Sequence, residues 1–183
     1  MSHPSQPAVL LVDGYNIIGV WPYLTKTRDR DGLQAARRQL IEALVNYSAF
    51  KDYDTRLVFD AHYQDTRSSK EEITRHLCVH YTDFGQTADT YIEKTCAVFR
   101  YERGHPQQRL IVATSDRAQQ LTVVGYGAEW ISGHQLASEV EFTRQSVRRQ
   151  QHSSKRPSSR FLASSLDPKA QQRLAQMRMN RPS

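Results

Sequence analysis

Val9-Leu10-Leu11-Val12-Asp13-Gly14-Tyr15-Asn16 decides how this chain is read: a run of apolar residues stops on a carboxylate, a glycine and then an amide. A short run that is apolar at every position fits a strand buried on both faces, as in a parallel sheet covered by helices. Ligands of such sheets collect outside the carboxyl ends of the strands, which is where Asp13 would stand. The pattern returns twice, in Leu57-Val58-Phe59 before Asp60 and in Leu110-Ile111-Val112-Ala113-Thr114-Ser115 before Asp116. A further acidic pair, Asp89 and Glu93, falls at the start of a helix introduced by Thr87.

Outward from these stretches, strand-like runs alternate with segments of helical period, which predicts the α/β class with a mainly parallel sheet. Gly32 to about Lys51 reads as a helix whose buried stripe is Leu33, Ala36, Leu40, Ala43, Leu44 and Tyr47, with Arg37, Arg38 and Glu42 lying off it. The Gly-, Pro- and Trp-containing segment between the first strand and this helix reads as a turn region. His62 to Glu72 is too polar for a core and reads as a mobile loop beside the site. Leu77 to Tyr81 reads as a third strand, and Thr87 caps a helix running to about Arg103, with Gly104 and Pro106 as stop signals. A helix follows Asp116 and stops near Gly125. A short strand spans Ala128 to Ile131, and Ser132-Gly133-His134-Gln135 has capping-box spacing for a last helix.

The 183 residues are enough for one domain with a real core, and a mean hydropathy of -0.68 leaves part of the chain outside it. Charge locates that part. From Arg144 to Ser183 there are ten Lys or Arg against the single acid Asp167, so the overall net charge of +6 belongs to the C-terminal segment and the rest is mildly acidic. Residues 8–143 are therefore expected to be the folded domain, 1–7 a lead, and 144–183 a basic, partly disordered tail. Ser153 to Ser165 has linker composition, and Asp167 to Met179 can form a short basic helix on a partner. Arg144, Arg148, Arg149, Lys155, Arg156 and Arg160 are the candidate cations for a polyanionic partner such as a nucleic acid, because such a segment binds phosphates without sequence preference. Cys78 and Cys96 lack metal-ligand spacing and read as buried free thiols. With no signal-peptide pattern and no long apolar run, a cytoplasmic protein without a membrane partner is expected.

Any one of the acids has an ordinary reading. Asp116 and Asp89 each fall in the first turn of an expected helix, where a negative charge gains about 0.3–1 kcal/mol from the helix dipole without doing chemistry. The conjunction argues for more. Asp89 and Glu93 are four apart on one helix face, and each further carboxylate brought to about 4 Å would add roughly 4 kcal/mol of repulsion at an effective dielectric near 20. A cluster of that kind needs a cation, and an all-oxygen donor set selects Mg²⁺ or Mn²⁺ over zinc. Asn16 can reach back into the pocket to orient a phosphate or water, or serve as a turn residue. Ser115 reads equally as a helix cap or a phosphate contact. Asp60 is assigned a supporting place.

In order and spacing, the runs LLVDGYNIIGVWP, AARRQLIEAL, VFDAH, QTADTYIEK and VATSD resemble the YacP-like branch of the NYN domain ribonucleases, within the wider PIN-like group. The resemblance extends over roughly Ala8 to Glu141. It implies a three-layer α/β/α domain with an acidic, metal-dependent endoribonuclease site. By matching motif positions it implies Asp13, Asp89 and Asp116 as core carboxylates, with Glu93, Asn16 and Ser115 in support. It further implies RNA as substrate, messenger RNA in particular, and the ribosome as a partner. A non-catalytic RNA- or ribosome-binding protein on the same fold is the alternative. A phosphatase of the haloacid dehalogenase type would want a second Asp two residues after the first, where Tyr15 stands. Gly14 and Gly19 do not make a dinucleotide-binding GxGxxG turn.

Overall fold

The computed structural model of the chain describes residues 8–60, 69–101 and 108–154. The elements run β1 (Ala8–Asp13), α1 (Gly14–Val20), α2 (Pro22–Asp31), α3 (Leu33–Lys51), β2 (Tyr53–Phe59), β3 (Ser69–Thr74), β4 (Leu77–Tyr81), α4 (Ala88–Tyr101), β5 (Arg109–Ala113), α5 (Arg117–Gly125), β6 (Glu129–Ile131) and α6 (Gly133–Ser154). The chain divides into two units, Met1–Gln145 and Ser146–Ser183, and the described part of the second is the C-terminal end of α6.

One six-stranded sheet has the order β3-β4-β2-β1-β5-β6, parallel throughout except for the antiparallel edge pair β3–β4. From β1 the chain first builds one way, to β2 and β4, and then the other, to β5 and β6. The order thus reverses at β1, and a reversal of this kind opens a crevice at the carboxyl ends of the flanking strands. Val9 and Leu11 point into a core shared with Val58, Ala88, Ile92, Cys96, Val112 and Val123, which lies under α4 and α5. Leu10 and Val12 point into the other core, with Ile17, Leu24, Leu40, Tyr47, Phe59 and Leu136, under α1, α2, α3 and α6. These alternating cores explain why β1 is buried at every position. The α/β class and the mainly parallel sheet are as the apolar runs predict. Both cysteines are free and buried, as expected. No helix among the described residues is long and apolar enough to cross a membrane.

Three local expectations need correction. The segment after β1 is not a turn region but the two helices α1 and α2. Pro22 opens α2 at its first position, where the missing N–H costs nothing. The polar stretch expected as a loop from His62 to Glu72 contains part of β3, which covers residues 69–74, while 62–68 lie outside the described residues. An edge strand largely exposed along its length has no need of apolar residues, so periodicity could not reveal it. Arg37, expected off the buried stripe of α3, is only 6% exposed. Its guanidinium lies 5.7 Å from the ring centroids of both Tyr15 and Phe59, and its aliphatic stem packs where a hydrophobe would. Helix α4 ends at Tyr101, and Arg103, Gly104 and Pro106 lie outside the described residues.

Candidate active site

Asp13, the last residue of β1, is the N-cap of α1 and accepts a hydrogen bond from the Asn16 N–H at 3.2 Å. Its carboxyl group is buried. Burial first, and then the nearby charges of Asp89, Asp60 and Asp116, push its pKa up to about 7, while the Asn16 N–H pulls the other way. Asp116 caps α5 in the same manner, accepting from the Gln119 N–H at 3.0 Å. Asp60 follows β2 and accepts from the Ala88 N–H at the start of α4. Thr87 Oγ1 accepts from the Thr90 N–H at 3.2 Å, the cap expected for that helix. The carboxyl group of Asp89 is raised as well, by partial desolvation and then by the charges of Asp116, Asp60 and Glu93. Four strand and helix ends thus aim carboxylates at one region, at the point where the sheet order reverses.

A second line of contacts braces this edge. Asn16 Oδ1 accepts from the Ser115 N–H at 2.7 Å, and Ser115 Oγ accepts from the Gly133 N–H at 3.0 Å. The indole N–H of buried Trp21 donates to the Gly133 carbonyl at 2.7 Å, so α1, the β5–α5 turn and the start of α6 are held together. Trp21 is therefore packing. Tyr23, whose ring centroid lies 5.8 Å from that of Trp21, is half-exposed. Ser132 Oγ accepts from the Gln135 N–H at 3.1 Å and caps α6.

Gln119 was not singled out from sequence. It is buried, and its side-chain N–H donates to Asp89 Oδ1 at 2.5 Å while its backbone N–H holds Asp116. Asp116 to Gln119 has the spacing of a capping box, which is the signal that could have found it. Instead of reaching back to the cap, its side chain crosses to α4.

Gln119 Oε1 is buried with no hydrogen-bond partner. An orphan acceptor beside repelling carboxylates is a place where a hard cation or its water is welcome. The donors thus fit Mg²⁺ or Mn²⁺ in kind, although among the described residues no three Asp, Glu, His or Cys side chains form a ready-made ion-holding group.

Of the candidate RNA-binding cations, Arg144, Arg148 and Arg149 are exposed on α6, and Lys155, Arg156 and Arg160 lie outside the described residues. Arg144 pairs with Glu141 at 3.0 Å. With Tyr23, Gln39, Glu42, Val140 and Glu141 it lines a cavity of about 760 Å³ that Asp13, Asp60, Asp89, Glu93 and Asp116 do not border.

Comparison with known proteins adds four findings. The family model described as "YacP-like NYN domain" matches residues 10–179, past Glu141 and through most of the basic segment. The protein YacP of Bacillus subtilis (strain 168) is 34% identical over 142 residues, 77% of this chain and 79% of its own length. The crystal structure of Rae1 (YacP) from Bacillus subtilis is similar with a TM-score of 0.66 and 29% identity, covering 94% of this chain and 95% of that one. A mutant of it gives 0.67 and 28%, covering 93% and 99%.

Proposed function

We propose, from the premise that this chain belongs to the YacP-like NYN domain family, that it is a divalent-metal-dependent endoribonuclease. The observation that carries this reading is the Asp13 carboxyl group, buried at the reversal of strand order with the charges of Asp89, Asp60 and Asp116 acting on it. Uncompensated, the arrangement costs stability, and it persists where the site has work to do.

Asp13, Asp89, Asp116 and Glu93 would hold Mg²⁺ or Mn²⁺. Such an ion, when bound, would polarise a phosphoryl oxygen, lower the pKa of its bound water and offset the charge that develops on the leaving oxygen. The chain's own part is placement. Asp13 and Asp116 are fixed by the helix N-termini they cap, Asp89 by Gln119, and Asp60 by the start of α4. Asn16 and Ser115 set the distance between the ends of β1 and β5, and the Asn16 side-chain N–H₂ remains a donor for a phosphate oxygen. Hydrolysis by in-line attack of water leaves 5′-phosphate and 3′-hydroxyl ends.

An acidic edge repels a polyanion, so affinity has to come from elsewhere. Arg144, Arg148 and Arg149, with Lys155, Arg156 and Arg160 after them, supply it by displacing counterions from RNA phosphates. Messenger RNA is the proposed substrate and the ribosome the proposed partner.

Labelled RNA incubated with Mg²⁺ or Mn²⁺ tests the reading, with EDTA and the Asp89→Asn variant as controls. Metal-dependent cuts bearing 5′-phosphates, absent in both controls, are expected. RNA that is bound but stays intact under all conditions overturns the enzyme reading in favour of a binding protein on the same fold.

A further inference from the structure

Among the large apolar side chains described as exposed, Phe84 stands out at 86%, against 65% for Phe142 and 64% for Leu121. A lone exposed hydrophobe is ordinary, and exposure by itself assigns nothing. The surroundings of Phe84 do. It sits at the tip of the connection from β4 to α4, which begins at the carboxyl end of a strand and ends at Ala88, one residue before Asp89. That places it on the sheet edge that carries Asp13, Asp60 and Asp116.

The connection is built to hold its shape. The Thr82 N–H donates to the Phe59 carbonyl at 3.0 Å, and Thr82 Oγ1 donates to the Gln86 carbonyl at 2.6 Å. The Gln86 N–H donates to the Asp83 carbonyl at 2.9 Å, closing a turn in which Gly85 takes φ +81°, a value that favours glycine. Asp60 then fixes the far end through the Ala88 N–H. A rigid turn anchored to the ends of β2 and α4 thus presents a phenyl ring to solvent beside a cluster of acids. Near those acids the phosphate backbone of RNA is repelled, and an uncharged contact is the kind that can still hold it. The face of a nucleobase offers one, and stacking on an aromatic ring is tolerant of sequence.

We propose that Phe84 is a base-stacking residue whose ring receives an unpaired nucleobase of the RNA next to the bond that is cut. This rests on the nuclease reading above and adds to it a subsite and a requirement. A base locked in a duplex already has its faces covered and cannot reach the ring, so the nucleotide at this position must be unpaired, whatever its identity.

The test uses the full chain as wild type, F84A, F84L and F84W, with an oligoribonucleotide whose cut site has been mapped. Loss of one stack predicts a KM roughly 5- to 100-fold higher for F84A with kcat nearly unchanged. F84W restores the wild-type KM and F84L does not, while equal thermal midpoints show that all four fold. Binding is read separately in the Asp89→Asn background with 2-aminopurine moved along the strand: fluorescence is quenched at one position beside the cut, and F84A abolishes the quenching. Annealing a complementary strand removes the difference between wild type and F84A. If wild type cuts RNA while F84A or F84L matches its KM, the stacking inference is overturned and the nuclease reading stands. RNA left uncut but quenched through Phe84 upholds the stacking and overturns the nuclease. Neither cutting nor quenching overturns both.

Discussion

Asn16 Oδ1 accepts the Ser115 N–H at 2.7 Å across 99 positions of sequence, which fastens the end of β1 to the turn that carries Asp116. Without it, the ends of β1 and β5 are joined only by strand pairing and by the longer route through Trp21, Gly133 and Ser115. Asn16→Ala removes one hydrogen bond, which is worth about 1 kcal/mol of stability. Small displacements of reacting groups can cost about a hundredfold in rate. A single-turnover cleavage rate roughly 10- to 100-fold lower, with a thermal midpoint only slightly reduced, is therefore expected. A rate equal to wild type would show that the bridge does not set the site.

Asp13 makes stability depend on pH with a definite sign. Its folded-state pKa of about 7 lies above the ordinary 3.8, so between these values the folded chain holds a proton that the unfolded chain releases. This group's contribution is fully present in acid and declines as pH rises through that window, by up to about 1.4 kcal/mol per pH unit. Asp13→Asn keeps an oxygen for the Asn16 N–H and removes the titration. Unfolding in urea from pH 5 to 8 should show the variant gaining on wild type as pH rises and exceeding it above pH 7. Added Mg²⁺ should stabilise wild type more than the variant at pH 8. A stability difference that stays constant over this range would contradict the burial of a charge at Asp13.

How far such a site can be read from sequence depends on the kind of contact. The apolar runs ending at Asp13, Asp60 and Asp116 placed three strands and the edge where the acids sit, because a two-face-buried strand leaves an unbroken hydrophobic record. Thr87 and Ser132 are legible as caps because their bonds are local, whereas the cap of α5 is Asp116 and not the Ser115 before it, whose bonds go to Asn16 and Gly133. Gln119 and Arg37 are not legible. Gln119 reaches Asp89 across 30 residues, and Arg37 is buried against the rings of Tyr15 and Phe59, both contacts that exist only once the elements have packed. The edge strand β3 left no apolar pattern because it is mostly exposed. Phe84 is not legible either, because a single aromatic in a turn gives no sign of whether it faces inward.

Gly14 follows Asp13 and backs onto Phe59. A Cβ at that position would lie 2.3 Å from Phe59 Cε1 and 2.6 Å from Cδ1, and the ring is itself held near Tyr15, Tyr81 and Arg37. Gly14→Ala should therefore cost about 1–3 kcal/mol through overpacking and lower activity by shifting Asp13. Phe59→Leu opens space, so Gly14→Ala made in that background should cost less than it does alone. A double-mutant cycle by urea unfolding measures the coupling. Additive effects would mean that the contact is relieved without the ring.

The basic segment can be separated from the chemistry by salt. Seven Lys or Arg and one acid follow Gln150, and the carboxylates of the candidate site all precede it. Each phosphate neutralised on a single strand contributes roughly 0.7 to the slope of log affinity against log salt. A chain ending at Gln150 should therefore bind single-stranded RNA more weakly at low salt, with a slope shallower by up to about 5, and the two forms should converge in affinity as salt rises. At saturating RNA the cleavage rate should stay near that of the full chain, since no member of the acidic cluster is lost. Fluorescence anisotropy over a salt series, with cleavage measured in parallel, separates the two effects. An unchanged slope would remove RNA binding from the segment, and a lost rate at saturation would give it a part in the site itself.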